Sequence, residues 1–477
     1  VNLIDNFLQR AEKRPDHVAI REGSGRRISF AALKRQSASL ASAFAAKGVS
    51  RGDRVLVGVW PGIDLYAGLA AIWRLGAVAV FPEPATGVAG FRHAAAATKP
   101  KALLAGWKIR TLALLFEETR RIPIGLSPSA NRGRISDDCA SLAEGDPALI
   151  SFTSGSSGAP KGMARSHGLM LAQHAALASL IGTNREDEID LVAFPAFVLT
   201  CLGHGVTSVM PSWDVRRHDR ADPNEVLAQI EAVGATRLLL PPVITQELAG
   251  TRLPPTVHRV LTGGGPVYPD VARRFLAGSP EVGLTVVYGS TEAEPIAHAR
   301  ADEFDEEIWR EASMGAGLPV GAPVPEARVR LVDDEIVVAG PHVNPGYLDP
   351  ARDRETKIFD GATIWHRTGD AGRFDAAGRL WLLGRCSSAA RGLFPFSVET
   401  AVRLWPGVRA AVMVARESGR SLLFIEGDET QLAQWRRLIG GIGDLEVVAV
   451  RAMPMDRRHR SKPDVRALMQ AQAGRAG

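Results

Sequence analysis

Strand-like and helix-like stretches alternate along much of this chain, and that alternation constrains its fold more than any other feature. The apolar, β-branched run Arg54-Val55-Leu56-Val57-Gly58-Val59 is followed by a helical pattern from Ile63 to Leu75 and a second short run, Ala77 to Phe81. Strand, helix and strand at this spacing form a βαβ unit, whose strands lie parallel and need helices packed on the sheet. A second set comprises a helix over Asn224–Val233 and strands over Arg237–Leu240, Val257–Thr262 and Leu284–Tyr288. Beyond residue 326 the texture changes to short strands and turns, at Ala327–Val332, Glu335–Ala339, Trp365–Arg367 and Leu380–Leu383. The C-terminal stretch returns to mixed structure, with strands at Ala410–Val414 and Ser421–Ile425. The predicted class is α/β. A large N-terminal domain of βαβ-type sheets with a small β-rich subdomain spans 1–384, and a small mobile α+β C-terminal domain spans 389–477. Between them, small polar residues at 385–388 fit a hinge able to absorb backbone rotation, and equally an ordinary interdomain turn.

Composition narrows the functional classes. The net charge of +5 is modest for 477 residues and the arginines are scattered, so a nucleic-acid partner is not expected. Cys139, Cys201 and Cys386 are odd in number and far apart, which speaks against a disulfide framework or a zinc site and for a reducing cytoplasm. The longest apolar stretch, Leu65 to Phe81, is interrupted by Arg74, and the N-terminus has no signal-peptide pattern. No membrane span is expected, and a cytoplasmic location is.

The chemistry concentrates in a few segments. Phe152-Thr153-Ser154-Gly155-Ser156-Ser157-Gly158-Ala159-Pro160-Lys161-Gly162 follows the apolar run Ala148-Leu149-Ile150. Hydroxyls, glycine amides and one compact cation after a strand can wrap a polyphosphate. It is not a Walker A loop, because Pro160 and Gly162 stand where Gly and Ser or Thr would be needed. Alone, the segment would also fit a flexible surface turn. Tyr288-Gly289-Ser290-Thr291-Glu292 and Gly263-Gly264-Gly265 each follow a strand, where open α/β sheets bind ligands, and each also fits a plain strand-end turn. A hydroxyl suits a phosphate, a carboxylate suits Mg2+, and a tyrosine ring suits a flat base. Arg367-Thr368-Gly369-Asp370 is expected to end a strand, with Asp370 facing vicinal hydroxyls or capping an Asx turn. The basic stretch Met453 to Lys462 reads, in isolation, as a solvated tail.

Taken in order, these segments resemble the adenylate-forming superfamily of acyl-CoA synthetases, peptide-synthetase adenylation domains and luciferases. The resemblance extends over nearly the whole chain, from Asn2-Leu3-Ile4 and Arg51-Gly52-Asp53-Arg54-Val55 through Ala339-Gly340-Pro341 and Gly346-Tyr347-Leu348 to Lys462. It implies ATP and Mg2+ as cofactors and a small carboxylic acid as substrate, activated as an acyl-AMP with release of pyrophosphate. CoA or a carrier protein would be the acceptor. Thr153, Ser154, Gly155, Ser156, Ser157, Gly158 and Lys161 would hold the β- and γ-phosphates. Thr291 would bond the α-phosphate and Glu292 would ligate the metal, with Gly289 and Ser290 beside them. Gly263, Gly264, Gly265 and Tyr288 would sandwich the adenine, and Asp370 and Arg385 would bind the ribose. Lys462 would bridge the carboxylate and the α-phosphate. A catalytically silent relative that only binds nucleotide or acyl ligand is the reading from another class.

The acyl side is expected at Phe194, Phe197, His204 and Gly205, in a segment without the aspartate that amino-acid-activating relatives use; a buried core helix is the second reading. An apolar acid, a fatty or 3-hydroxy fatty acid, is therefore favoured. The chain departs from the superfamily pattern at Ser387, where Asp or Lys is usual, and in the short segment Gly384 to Glu399. The form Phe194-Pro195-Ala196-Phe197, Leu393 to Glu399 and Pro454 to Lys462 resembles the branch of fatty-acid–CoA ligase-like proteins and olefin-pathway β-lactone synthetases. In lactone-forming members the substrate's own 3-hydroxyl captures the adenylate, and no CoA is needed.

Overall fold

A computed structural model of the chain describes residues 1–82, 86–129, 136–153, 160–182, 187–416, 419–455 and 463–476. It divides into two compact units whose sequences interleave. The first comprises Val1–Val215, Ala228–Leu239 and Pro341–Lys357, and the second Arg216–Leu227, Leu240–Gly340 and Ile358–Gly477.

The first unit carries the predicted βαβ arrangement. Five strands, Ile124–Leu126, Ala102–Ala105, Arg54–Gly58, Val78–Phe81 and Pro147–Thr153, lie side by side and parallel, and Lys161–Ser166 closes the edge antiparallel. A second parallel set runs Arg237–Leu240, Ile189–Val192, Thr207–Val209 and Val18–Arg21. The helix Ile63–Arg74 is buried along almost its whole length, so its apolar run is a core element. Arg74, which interrupts that run, is buried too. It bonds Ser37 Oγ at 3.1 Å and the carbonyls of Asp137 and Asp138 at 3.2 and 3.3 Å, which is how a charge survives there. No helix among the described residues is long and apolar enough to cross a membrane.

The second unit is built on a mostly antiparallel sheet. Its strands run Arg328–Val332, Glu335–Ala339, Thr363–Phe374, Leu380–Arg385, Leu318–Pro323, Ala293–Arg300, Gly283–Ser290 and Arg259–Gly263. Only the last pair is parallel. The C-terminal part of the unit has its own sheet, Val408–Val414, Ser421–Gly427 and Leu445–Val450. One face packs on Val398, Val402 and Trp435 and the other on Leu468, giving this short region two apolar layers. The segment expected to act as a hinge is a single 3-10 turn, Cys386–Ser388.

Candidate active site

In the second unit the residues expected on the nucleotide side cluster at the ends of neighbouring strands. Gly283–Ser290 turns back into Ala293–Arg300 with Ser290 opposite Ala293, so Thr291 and Glu292 form a two-residue hairpin tip. Thr291 is exposed and Glu292 half-buried. Buried Tyr288 donates its phenol proton to Asp370 Oδ2 at 3.0 Å. Asp370 pairs with Arg385 across the ladder and accepts its Nη1 on Oδ1 at 2.9 Å. The same nitrogen reaches the Thr368 carbonyl at 3.1 Å. Burial, reinforced by the Asp370 charge, pushes the Tyr288 phenol well above its ordinary range and keeps it a donor. Burial opposes the Arg385 charge, but Asp370 carries its pKa above the usual guanidinium value.

One expectation is corrected here. The strand does not end at Thr368–Asp370 but runs on to Phe374, with a register shift between Ala371 and Gly372. Gly-Asp reads locally as a turn, but the Glu335 carboxylate accepts the Gly369 N–H at 2.9 Å and holds the backbone in the sheet. Gly263 pairs with Val287, and a Cβ at Gly263 would stand 2.5 Å from the Val287 carbonyl oxygen, so the bare backbone is already required by strand pairing. Gly264 and Gly265 continue that turn, with Pro242 as a neighbour of Gly265. Gly289 sits against the Ala293 carbonyl, and Ser290 Oγ is buried without a hydrogen-bond partner among the described residues. An orphaned hydroxyl at a strand end is a ready partner for a polar ligand.

The first unit supplies the hairpin expected to hold phosphates. Thr153 stands opposite Lys161 and Phe152 opposite Gly162, so the two strands deliver both ends of the loop to one place. Ser154, Gly155, Ser156, Ser157 and Gly158 lie outside the described residues, as does Lys462. The residues expected on the acyl side sit on or flank one short helix, Pro195–His204, with Pro195 at its first turn and Gly205 ending it in the left-handed conformation. Phe194 and Phe197 meet in a tilted arrangement with ring centroids 5.3 Å apart. His204 Nδ1 donates to the Thr200 carbonyl at 2.8 Å, which fixes its ring against its own helix.

Two features escaped the sequence reading. Leu199, Leu202 and Gly203 line a small apolar cavity of about 20 Å³ with Tyr66, Trp73 and His174. At 100° per residue these positions lie on the face of the helix opposite Phe197. Burial pushes the His174 imidazole down to about 4, so it is neutral. The second feature lies in the other unit, just past the glycine turn. Tyr268 donates to Glu399 Oε2 at 2.7 Å, and the Met413 N–H donates to Glu399 Oε1 at 3.0 Å. Arg403 forks onto Asp270 with two 2.8 Å bonds and lies 4.4 Å over the Tyr268 ring. Burial raises the Glu399 carboxyl to about 7. No local signal pairs residues so distant in sequence.

The chain is 31% identical over 472 residues to an olefin β-lactone synthetase of Stenotrophomonas maltophilia (strain K279a), covering 87% of this chain and 85% of the relative. It is 30% identical over 471 residues to a feruloyl-CoA synthase of Amycolatopsis sp, covering 90% and 91%. Among solved structures, an amide bond synthetase from Marinactinospora thermotolerans superposes with a TM-score of 0.79 at 25% identity, over 98% of this chain and 99% of that one. The strand-end cluster and the phosphate-side hairpin both fall in a chain whose residues 7–348 match the family described as AMP-binding enzyme, and the protein belongs to that family.

Proposed function

We propose that this protein activates a carboxylic acid with ATP, forming an acyl-AMP and releasing pyrophosphate. The observation that carries the reading is the Tyr288–Asp370–Arg385 set, in which a phenol and a guanidinium orient one carboxylate beside the glycine turn. Such a carboxylate suits the vicinal hydroxyls of a ribose, and the Tyr288 ring suits a base. Thr153 and Lys161 serve the terminal phosphates with the loop they bracket, while Thr291 and the unpartnered Ser290 hydroxyl serve the α-phosphate. Glu292 fits Mg2+, an ion that takes one or two carboxylates and completes its shell with water and substrate phosphates. The bound ion neutralises phosphate charge. Lys462 is assigned the charge that builds on the α-phosphoryl oxygens during attack.

The substrate is a fatty or 3-hydroxy fatty acid, in keeping with a wall helix, Pro195–His204, that carries no acidic residue. The acyl group then passes to CoA or a carrier protein. A second reading, CoA-independent closure of a 3-hydroxyacyl-AMP to a β-lactone, is favoured by the likeness to an olefin β-lactone synthetase over 87% of the chain. A nucleophile already tethered in the substrate has the effective-molarity advantage of proximity. The cysteines are unpaired, which suits a reducing cytoplasm.

The test is mass spectrometry of products from protein, ATP, Mg2+ and matched acids with and without a 3-hydroxyl, each with and without CoA. Pyrophosphate and thioesters from both acids support the ligase reading. CoA-independent loss of water from the hydroxy acid alone supports lactone formation. Absence of pyrophosphate release with every acid, while nucleotide still binds, supports a silent relative and overturns the proposal.

A further inference from the structure

Lysine is scarce in this chain, nine residues against 48 arginines, yet two lysines meet on one aromatic ring. Lys161 Nζ lies 5.7 Å from the centroid of Tyr347, and Lys357 Nζ lies 5.7 Å from the same centroid. All three residues belong to the first unit. The ring's place is fixed several times over. The Leu348 N–H donates to the Gly162 carbonyl at 2.8 Å, next to Lys161 on the hairpin strand. The Tyr347 N–H donates to Asp353 Oδ1 at 2.9 Å. Upstream, Gln173 Nε2 donates to the His342 carbonyl at 3.1 Å. Gly162 makes the approach feasible, because a Cβ there would stand 2.8 Å from Leu348 Cδ1 and 2.9 Å from Phe152 Cε1. Lys357 is buried and donates to the Asn344 carbonyl, so its ammonium is held in place on the same segment.

A lysine side chain that must be ordered costs about 1.5–2 kcal/mol in rotamer freedom. A cation over an aromatic face gains about 0.5–1 kcal/mol where exposed and about 2 kcal/mol or more where desolvated. An aromatic ring held rigidly beside Lys161 can therefore order its ammonium before any anion arrives. Two ammonium groups gathered on one ring concentrate positive charge there and favour a polyanion nearby. We propose that Tyr347 is a positioning residue that presents the Lys161 ammonium to the terminal phosphates of a nucleotide, with Lys357 fixed on the same ring. The inference rests on the phosphate role given to Lys161 above, and deepens it.

The experiment compares Tyr347→Phe, Tyr347→Leu and Tyr347→Met, alone and in a Lys161→Met background, in two assays. The first reads KM for ATP and kcat for pyrophosphate release, and the second reads calorimetric binding of Mg2+–pyrophosphate, with thermal melts to confirm folding. The phenylalanine variant should stay within about threefold of the parent in both affinities, because it keeps the ring. The non-aromatic variants should raise KM for ATP and weaken pyrophosphate about tenfold, with kcat nearly unchanged, and should add no more than about twofold once Lys161 is gone. Equal losses with and without Lys161, or a phenylalanine variant as impaired as leucine, would make Tyr347 merely structural and overturn the proposal. Failure of the unsubstituted chain to bind pyrophosphate would overturn it as well. If no acid supports turnover but pyrophosphate binding follows the expected pattern, this inference stands and the reading of the reaction fails.

Discussion

Two aspartate–arginine pairs, one in each unit, have the same chemistry and different surroundings. Asp190 and Arg237 are both fully buried and joined by two 2.8 Å bonds, with Arg237 Nη1 further bonded to the carbonyls of Ile181 and Gly182. Asp370 and Arg385 share a single 2.9 Å bond, and the arginine side chain is 57% exposed. The first pair has a protein partner on each guanidinium nitrogen, as a closed structural pair must. The second leaves more than half of its arginine side chain exposed and ties its carboxylate to a buried tyrosine, which is how a group poised for a ligand is held. Burial and saturation of donors, rather than the pairing itself, separate scaffold from site.

The sharpest way to break this comparison is Arg237→Leu, which strands a buried carboxylate and should destabilise the fold by about 3–5 kcal/mol in chemical denaturation. A loss below about 1 kcal/mol would show that the pair is not structural. Next in size is the Glu399 carboxyl. Its folded pKa of about 7 lies above its ordinary 4.5, so the folded state keeps a proton that the unfolded state has released. Stability from this group is full below pH 4.5 and falls as pH rises toward 7, by about 3 kcal/mol. Glu399→Gln should erase that slope, measured as the variant's gain over the parent between pH 4.5 and pH 7. In the first unit the slope has the opposite sign. Burial holds the His167 imidazole down at about 4, and the Leu3 N–H donates to its Nδ1 at 3.0 Å, so that contribution is lost as pH falls toward 4.

Asp370→Ala should lower kcat/KM for ATP about 100-fold, equivalent to about 2.7 kcal/mol, in the pyrophosphate-release assay. The smallest effect is expected from Arg385→Met, which should change unfolding free energy by less than about 1 kcal/mol while raising KM for ATP. A large stability loss there would erase the distinction between the two pairs.

Much of this was legible in the sequence. The strands Arg237–Leu240 and Glu335–Ala339 fall where the apolar runs put them, because buried strands are locally rich in Val, Ile and Leu. The strand through Thr368–Asp370 was not legible. Its continuation depends on Glu335, remote in sequence, accepting the Gly369 N–H. Arg237 gave no hint of complete burial, since its partner Asp190 comes from a neighbouring strand. The helix Pro195–His204 showed its composition but not its two faces, so the cavity at Leu199 and Leu202 emerged only with the fold. The cluster of Tyr288, Asp370 and Arg385 was named residue by residue, whereas the contact of Lys161 with Tyr347 needed three dimensions.

The hairpin tip at Thr291–Glu292 also bears on how this chain can change over time. A two-residue connection has no slack, and a strand's side chains alternate between faces. One inserted residue would slip Ala293–Arg300 by a step and send Ala297 and Ala299, buried on one face, to the opposite side. Substitution at the tip leaves the sheet intact, but insertion or deletion breaks it. Along any lineage of this protein, the spacing from Tyr288 to Ala293 should therefore be kept more strictly than the letters within it.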